Sequence, residues 1–280
     1  MGELMKTSVI NLEYNSGDKI FSQLWEPENP PKGVVVLVHG LGEHSGRYST
    51  HFADHFSNEG LSIITFDLPG HGKSGGKRGH INTYEDFNKL LSAGISYAKK
   101  KYPSLPVFLY GHSLGGLIAL DYSIQHKPVI NSVIVSAPVL DVNEPIPPVK
   151  LVLAKMMTKF FPSFTLDSGL NRNMLSRDKR VIERYNADPL VHGYTSARMG
   201  MYIIEKGAFV RNNGKKISLP TLVMVGSAEG IVSREAIHDF CEQSDKCTEK
   251  IWAGLYHELH NEPEKMSVLK FTTEWIADHM

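Results

Sequence analysis

Only two cysteines, Cys241 and Cys247, occur in 280 residues, too few for a disulfide framework. The opening MGELMKTSVI lacks a positively charged segment followed by an apolar stretch, so no secretory leader is expected. These absences suggest a cytoplasmic protein with both thiols reduced, a local disulfide being the minority alternative. No apolar run approaches the roughly eighteen residues of a spanning helix, which leaves peripheral contact with a membrane or micelle open. Neither charge is in surplus, with 30 Lys and Arg against 30 Asp and Glu. There is no basic field to gather nucleic acid, and no such partner is expected.

What the chain does have is length enough for one large α/β domain, read here as residues 1–280, and a regular alternation of patterns. Two β-rich runs, Thr7–Glu13 and Lys19–Trp25, flank the hairpin signal Asn15–Asp18. Unbroken apolar strands are expected at Gly33–Gly40, Leu61–Asp67, Val107–Tyr110, Val129–Ser136 and Pro220–Gly226, with another strand at Thr248–Ala253. Helical spacing is expected near Arg47–Asn58, from Thr83 to about Lys101, and over Leu114–Tyr122, Ser233–Cys241 and Pro263–His279. Such alternation implies a mainly parallel central sheet with right-handed crossovers. From Asp141 to about Gly214 no strand-like run appears, but prolines stand at 145, 147 and 148 among short helical patterns. This stretch, residues 141–214, reads as an inserted helical lid.

Everything is organised around VFLYGHSLGGLIA, Val107 to Ala119. A buried strand runs into Gly111-His112-Ser113-Leu114-Gly115, and helical spacing follows at once. Glycines two residues either side of Ser113 suit a turn too tight for side chains, the nucleophile elbow G-x-S-x-G. A serine hydroxyl needs a base, and the base a carboxylate to orient it. In a parallel sheet catalytic groups gather at the carboxyl ends of strands. Just past PTLVMVG stands Glu229, and just past KIWAG stands His257. The order serine, acid, histidine is that of the α/β-hydrolase fold. Backbone N–H groups of Leu41, in the loop after GVVVLV, and of Leu114 are placed to form an oxyanion hole.

The segments HGLGEHSGRY, FDLPGHGKSGGKRGHI, GHSLGG, SAPVL, DPL, GSAEGIV and YHELHNE resemble, in this order, signatures of the monoacylglycerol lipase family. The resemblance covers nearly the whole chain and is weakest in the inserted segment and at the N-terminal end. It implies Ser113 as nucleophile, His257 as base and the Leu41 and Leu114 amides as oxyanion hole. It further implies that Glu43, Arg47 and His260 contact a polar glycerol head. At one position the chain departs from the family, which has aspartate in G-S-A-D where Glu229 stands here. The extra methylene has to be absorbed, or misplacement of His257 slows turnover on the order of tenfold to a thousandfold. An alternative gives the acid role to Asp141, just past SAPVL.

Other motifs yield plainer readings. Among the thirteen histidines, His51 and His55 have zincin spacing, but Phe52 replaces the needed glutamate. In His257–His260 the second histidine falls one position short of that spacing, so no catalytic metal is expected and the helix histidines read as packing or surface residues. Gly70-His71-Gly72-Lys73-Ser74-Gly75 matches a dinucleotide fingerprint in letters only, because further glycines delay any helix, and it reads as a tight loop. In the lid, Val149, Val152, Leu153, Met156, Met157 and Phe160 recur at helical spacing among lysines, suiting either a cleft cover or a lipid interface.

The expectation is therefore a cofactor-free serine hydrolase acting on a small lipid ester, a monoacylglycerol. The alternatives are a lysophospholipase or short- to medium-chain carboxylesterase, and a lipid-binding protein whose triad is impaired at Glu229. Oligomeric state is left open.

Overall fold

The computed structural model describes residues 5–14, 19–143 and 147–280, apart from the side chains of Pro148 and Lys150. Strands β1 (Lys6–Ile10) and β2 (Ser22–Glu26) pair antiparallel at one edge, as the hairpin signal predicts. The turn residues Asn15–Asp18 lie outside the described residues. The chain then lays down β3 (Gly33–Val38), α1 (His51–Asn58), β4 (Leu61–Phe66), α2 (Glu85–Lys101), β5 (Val107–His112), α3 (Leu114–His126) and β6 (Ser132–Ser136). Helix α1 starts later than its spacing suggests, because Ser45–Tyr48 wind into a 3-10 turn.

Between β6 and the next sheet strand lies the insertion. It holds α4 (Pro148–Phe160), β7 (Thr165–Asp167), α5 (Lys179–Ala187), β8 (Tyr194–Ser196) and α6 (Ala197–Arg211). The antiparallel pair β7–β8 departs from the helix-only expectation. Each of these strands has three residues and β7 is largely exposed, so neither writes an apolar pattern into the sequence. The sheet resumes with β9 (Thr221–Gly226), α7 (Arg234–Cys241), β10 (Cys247–Trp252) and α8 (Lys265–Asp278).

The eight sheet strands stand in the order β1-β2-β4-β3-β5-β6-β9-β10, parallel from β4 onward. Alternation along β3 shows why both faces are apolar. Val34, Val36 and Val38 enter one core with Phe87 and Leu90 of α2 and Leu117 of α3. Val35 and Leu37 enter the other with Phe52 of α1 and Leu269 of α8. A strand covered on both sides has no polar alternation to show, hence the unbroken runs.

The thiol expectation is overturned. Cys241 closes α7 and Cys247 opens β10, and the return of the chain brings their Cα atoms to 5.1 Å, where the two are joined by a disulfide. Among the described residues no helix is long and apolar enough to cross a membrane.

Candidate active site

Ser113 sits at the junction of β5 and α3 with φ 52° and ψ −114°, a left-handed backbone that a side chain rarely adopts. Such strain, on the order of 1–3 kcal/mol, persists only where surrounding contacts enforce it. Here the Ser113 N–H donates to the Ser136 carbonyl at 3.0 Å, and the Ser113 carbonyl accepts from the Val139 N–H at 3.2 Å. A Cβ on Gly111 would strike the Gly115 carbonyl, and one on Gly115 the Val38 carbonyl. The two glycines are therefore required by close backbone approach.

His257 follows β10, and Glu229 follows β9. The His257 Nδ1–H donates to Glu229 Oε2 at 2.8 Å. The other carboxylate oxygen accepts from the Ile231 N–H at 2.7 Å and the Val232 N–H at 3.3 Å. Burial disfavours the Glu229 carboxylate, but His257 and these amides outweigh it and hold its pKa below the ordinary 4.5. Burial likewise pushes His257 down, while Glu229 pulls it further up, leaving it above the ordinary 6.5. The extra methylene of glutamate is thus absorbed, with the carboxylate anchored on its own loop. Asp141, the alternative acid, is half-exposed and meets Arg211 at 3.4 Å, which argues against the relocated-acid reading. Among the described residues no hydrogen bond joins Asp141 to the imidazole that Glu229 holds.

Ser113, His257, Leu41 and Leu114 border one cavity of about 460 Å³. Its remaining wall is largely apolar, with Val139, Leu175, Ile203, Ile204 and Ile231. Leu114 is the first residue of α3, where N–H groups have no acceptor within the helix and the helix dipole is positive. In the loop after β3 the Gly40 N–H is already taken by Glu43 Oε1 at 2.7 Å. Leu114 and Leu41 stand beside Ser113 in the wall of this cavity.

Of the three residues assigned to a polar head, only Glu43 borders this cavity. Its carboxylate also accepts from the Tyr48 hydroxyl at 2.8 Å and from Arg47 at 2.5 Å. Burial opposes that charge, but Arg47 outweighs it and keeps the group ionised well below the usual carboxylate range. Arg47 and His260 do not border the cavity. His260 is fully buried, stacked on Tyr48 at 4.7 Å and edge-on to His112 at 4.9 Å, and burial holds its ring neutral.

Sequence reasoning passed over Glu258, which borders the cavity and grips Arg47 through both oxygens at 2.6 and 2.7 Å. It also passed over His112, a cavity residue whose pKa burial lowers to about 4, so it stays neutral beside His257. The x of G-x-S-x-G is a signal for the second, but no spacing rule joins residues 47 and 258. His51 donates to the His260 carbonyl at 2.6 Å and His55 meets Thr273 at 3.1 Å, so both pack α1 against the C-terminal end. Gly70, Gly72, Gly76 and Gly79 all have positive φ, consistent with a tight loop. Among the described residues no cluster of three or more His, Cys, Asp or Glu is arranged to hold a metal.

The serine aminopeptidase, S33 family model matches residues 29–264, a span that includes Ser113, Glu229 and His257. A monoacylglycerol lipase of Mycolicibacterium smegmatis is 33% identical over 267 residues, covering 94% of this chain and 95% of that protein. The crystal structure of a Paleococcus ferrophilus monoacylglycerol lipase matches with a TM-score of 0.86 at 33% identity, over 94% of this chain and 100% of that one. A soluble variant of Saccharomyces cerevisiae monoglyceride lipase, solved with a substrate analog, matches with a TM-score of 0.85 at 26% identity, over 99% of this chain and 95% of that one. By fold, by length of match and by identity, the chain belongs to the serine aminopeptidase, S33 family of α/β-hydrolases, alongside the monoacylglycerol lipases.

Proposed function

We propose that this chain hydrolyses monoacylglycerols to fatty acid and glycerol through an acyl-enzyme on Ser113. The His257 Nε2 removes the Ser113 proton as Oγ attacks the ester carbonyl, and the negative charge on the carbonyl oxygen is met by the Leu41 and Leu114 N–H groups. The C–O bond to glycerol breaks, and the imidazolium protonates the departing oxygen. Water then attacks the acyl-enzyme with His257 as base, and the Ser113 oxygen leaves with the proton. Glu229 keeps the imidazole in the Nδ1–H tautomer. No cofactor enters the cycle. The observation that carries the reading is the 2.8 Å bond from His257 to Glu229 beside a strained Ser113 at one largely apolar cavity.

The head group follows from charge. Glu43 and Glu258 both border the cavity, and the one guanidinium between them leaves a negative surplus. A neutral polyol fits there, whereas an anionic phosphate is repelled. Comparing monoacylglycerol, lysophosphatidylcholine, lysophosphatidate and a nitrophenyl ester tests this. Monoacylglycerol should give the highest kcat/KM, with lysophosphatidate slower by about tenfold or more. A preference for lysophospholipids would replace the reading with a lysophospholipase.

The insertion serves as a lid that also rests on lipid. Val149, Val152, Leu153, Met156 and Phe160 of α4 are exposed together with Phe161, and Lys155 and Lys159 stand among them. Val152→Glu combined with Met156→Glu should weaken sedimentation with phospholipid vesicles at least about threefold. Hydrolysis of a soluble nitrophenyl ester should be unchanged. Equal vesicle binding by the two proteins would place the lipid contact elsewhere.

A further inference from the structure

Behind the polar end of the cavity, one guanidinium joins the two loops on which the chemistry depends. Arg47 Nη1 donates to Glu43 Oε2 at 2.5 Å and to Glu258 Oε1 at 2.6 Å, and Nη2 donates to Glu258 Oε2 at 2.7 Å. Glu43 lies on the loop after β3, and its other oxygen holds the Gly40 N–H, next to the oxyanion residue Leu41. Glu258 directly follows His257, and Asn261 Nδ2 donates to its Oε2 at 2.7 Å. Both carboxylates are almost fully buried, and the Tyr185 ring covers the guanidinium 4.7 Å from its centroid. A continuous path therefore runs by hydrogen bonds through Gly40, Glu43, Arg47 and Glu258, and from Glu258 to His257 along the backbone.

We propose that Arg47 is a positioning residue, a strap that fixes the oxyanion loop against the catalytic histidine through Glu43 and Glu258. The proposal rests on the triad reading of Ser113, His257 and Glu229. Each partner of the strap has a reason in its chemistry. A planar fork can hold one carboxylate with two N–H groups and still reach a second, which a lysine ammonium on a flexible stem does not reproduce. Burial removes competing water and fixes the geometry, and Tyr48 and Asn261 each donate a further hydrogen bond, to Glu43 and Glu258 respectively. His51, donating to the His260 carbonyl, ties α1 to the same histidine loop but carries no link to Gly40 or Leu41. Placement of the base relative to the oxyanion amides therefore depends on Arg47, whose side chain never borders the cavity.

The test is Arg47→Lys and Glu258→Gln, assayed on a monoacylglycerol and on a nitrophenyl ester that has no polyol. A third readout is the rate of Ser113 labelling by a fluorophosphonate. Rates are expressed per active site, after titration of folded enzyme. The strap predicts that kcat on both esters, and the labelling rate, fall together by about a hundredfold, with KM changed less than about threefold. Glu258→Gln supplies the result if Arg47→Lys does not fold, since it keeps the shape of the side chain and the Arg47–Glu43 pair. A loss confined to the monoacylglycerol and expressed in KM would overturn the proposal and make Arg47 a head-group contact. Unchanged kcat per titrated site with a lowered melting temperature would also overturn it, leaving Arg47 a stabilising residue only. If the parent protein itself neither labels nor turns over, the triad reading fails, and the strap with it.

Discussion

Ser113→Ala should abolish monoacylglycerol turnover, with a drop in kcat of about 10⁵-fold or more. Alanine keeps the Cβ that serine already carries at φ 52°, so the strained elbow is neither relieved nor worsened. The backbone bonds to Ser136 and Val139 are untouched, and the variant should fold and still bind substrate. What disappears is the oxygen that forms the acyl-enzyme. Because nucleophile and base act as one unit, His257→Ala should cost about as much, and the double variant little more than either single one. Initial rates of glycerol release, measured on each variant after a thermal melt to verify folding, give the comparison. Retention of activity within tenfold of the parent would remove Ser113 from the mechanism.

Glu229→Gln should lower kcat by about 10⁴-fold and shift the pH profile of what remains. The amide keeps size and shape, but it can present an N–H to His257 and so favour the wrong tautomer. The sign of the pH shift follows from the balance on His257. Burial lowers its pKa and the Glu229 carboxylate raises it more, so in the parent the acid limb of kcat/KM should fall above the ordinary histidine value of 6.5. With the carboxylate gone, burial has less to oppose it and the acid limb moves to lower pH. An unmoved limb would mean that Glu229 does not set the charge state of the base.

Stability obeys the same linkage. Glu229, with a folded pKa below 4.5, stabilises fully above 4.5 and loses this as pH falls through its folded value. His257, with a folded pKa above 6.5, stabilises fully below 6.5 and loses this as pH rises through its folded value. The pair therefore contributes most between pH 4.5 and 6.5.

The central strands and the elbow were legible because burial on both faces leaves unbroken apolar runs, and because close approach at Gly111 and Gly115 admits no side chain. Glu229 and His257 were legible from topology, since each follows a strand of the parallel sheet. Side-chain partnerships across long sequence separation were not. Nothing in the spacing of Arg47 and Glu258 announces that they meet, nor that Arg47 and His260 stand outside the cavity lining. The Cys241–Cys247 disulfide depends on how tightly the chain returns from α7 to β10, which composition does not specify. Strands β7 and β8 are too short, and β7 too exposed, to leave a pattern.

The most direct test of the triad is the initial rate of monoacylglycerol hydrolysis by this protein beside Glu229→Asp, with Ser113→Ala as the blank. The observed His257–Glu229 bond, anchored by the Ile231 and Val232 amides, predicts clear turnover by the parent and an equal or slower rate for the aspartate variant, whose shorter arm must reach the same imidazole. Turnover by the aspartate variant alone, with the parent no faster than the blank, would contradict the account and leave the chain a lipid-binding protein with an impaired triad.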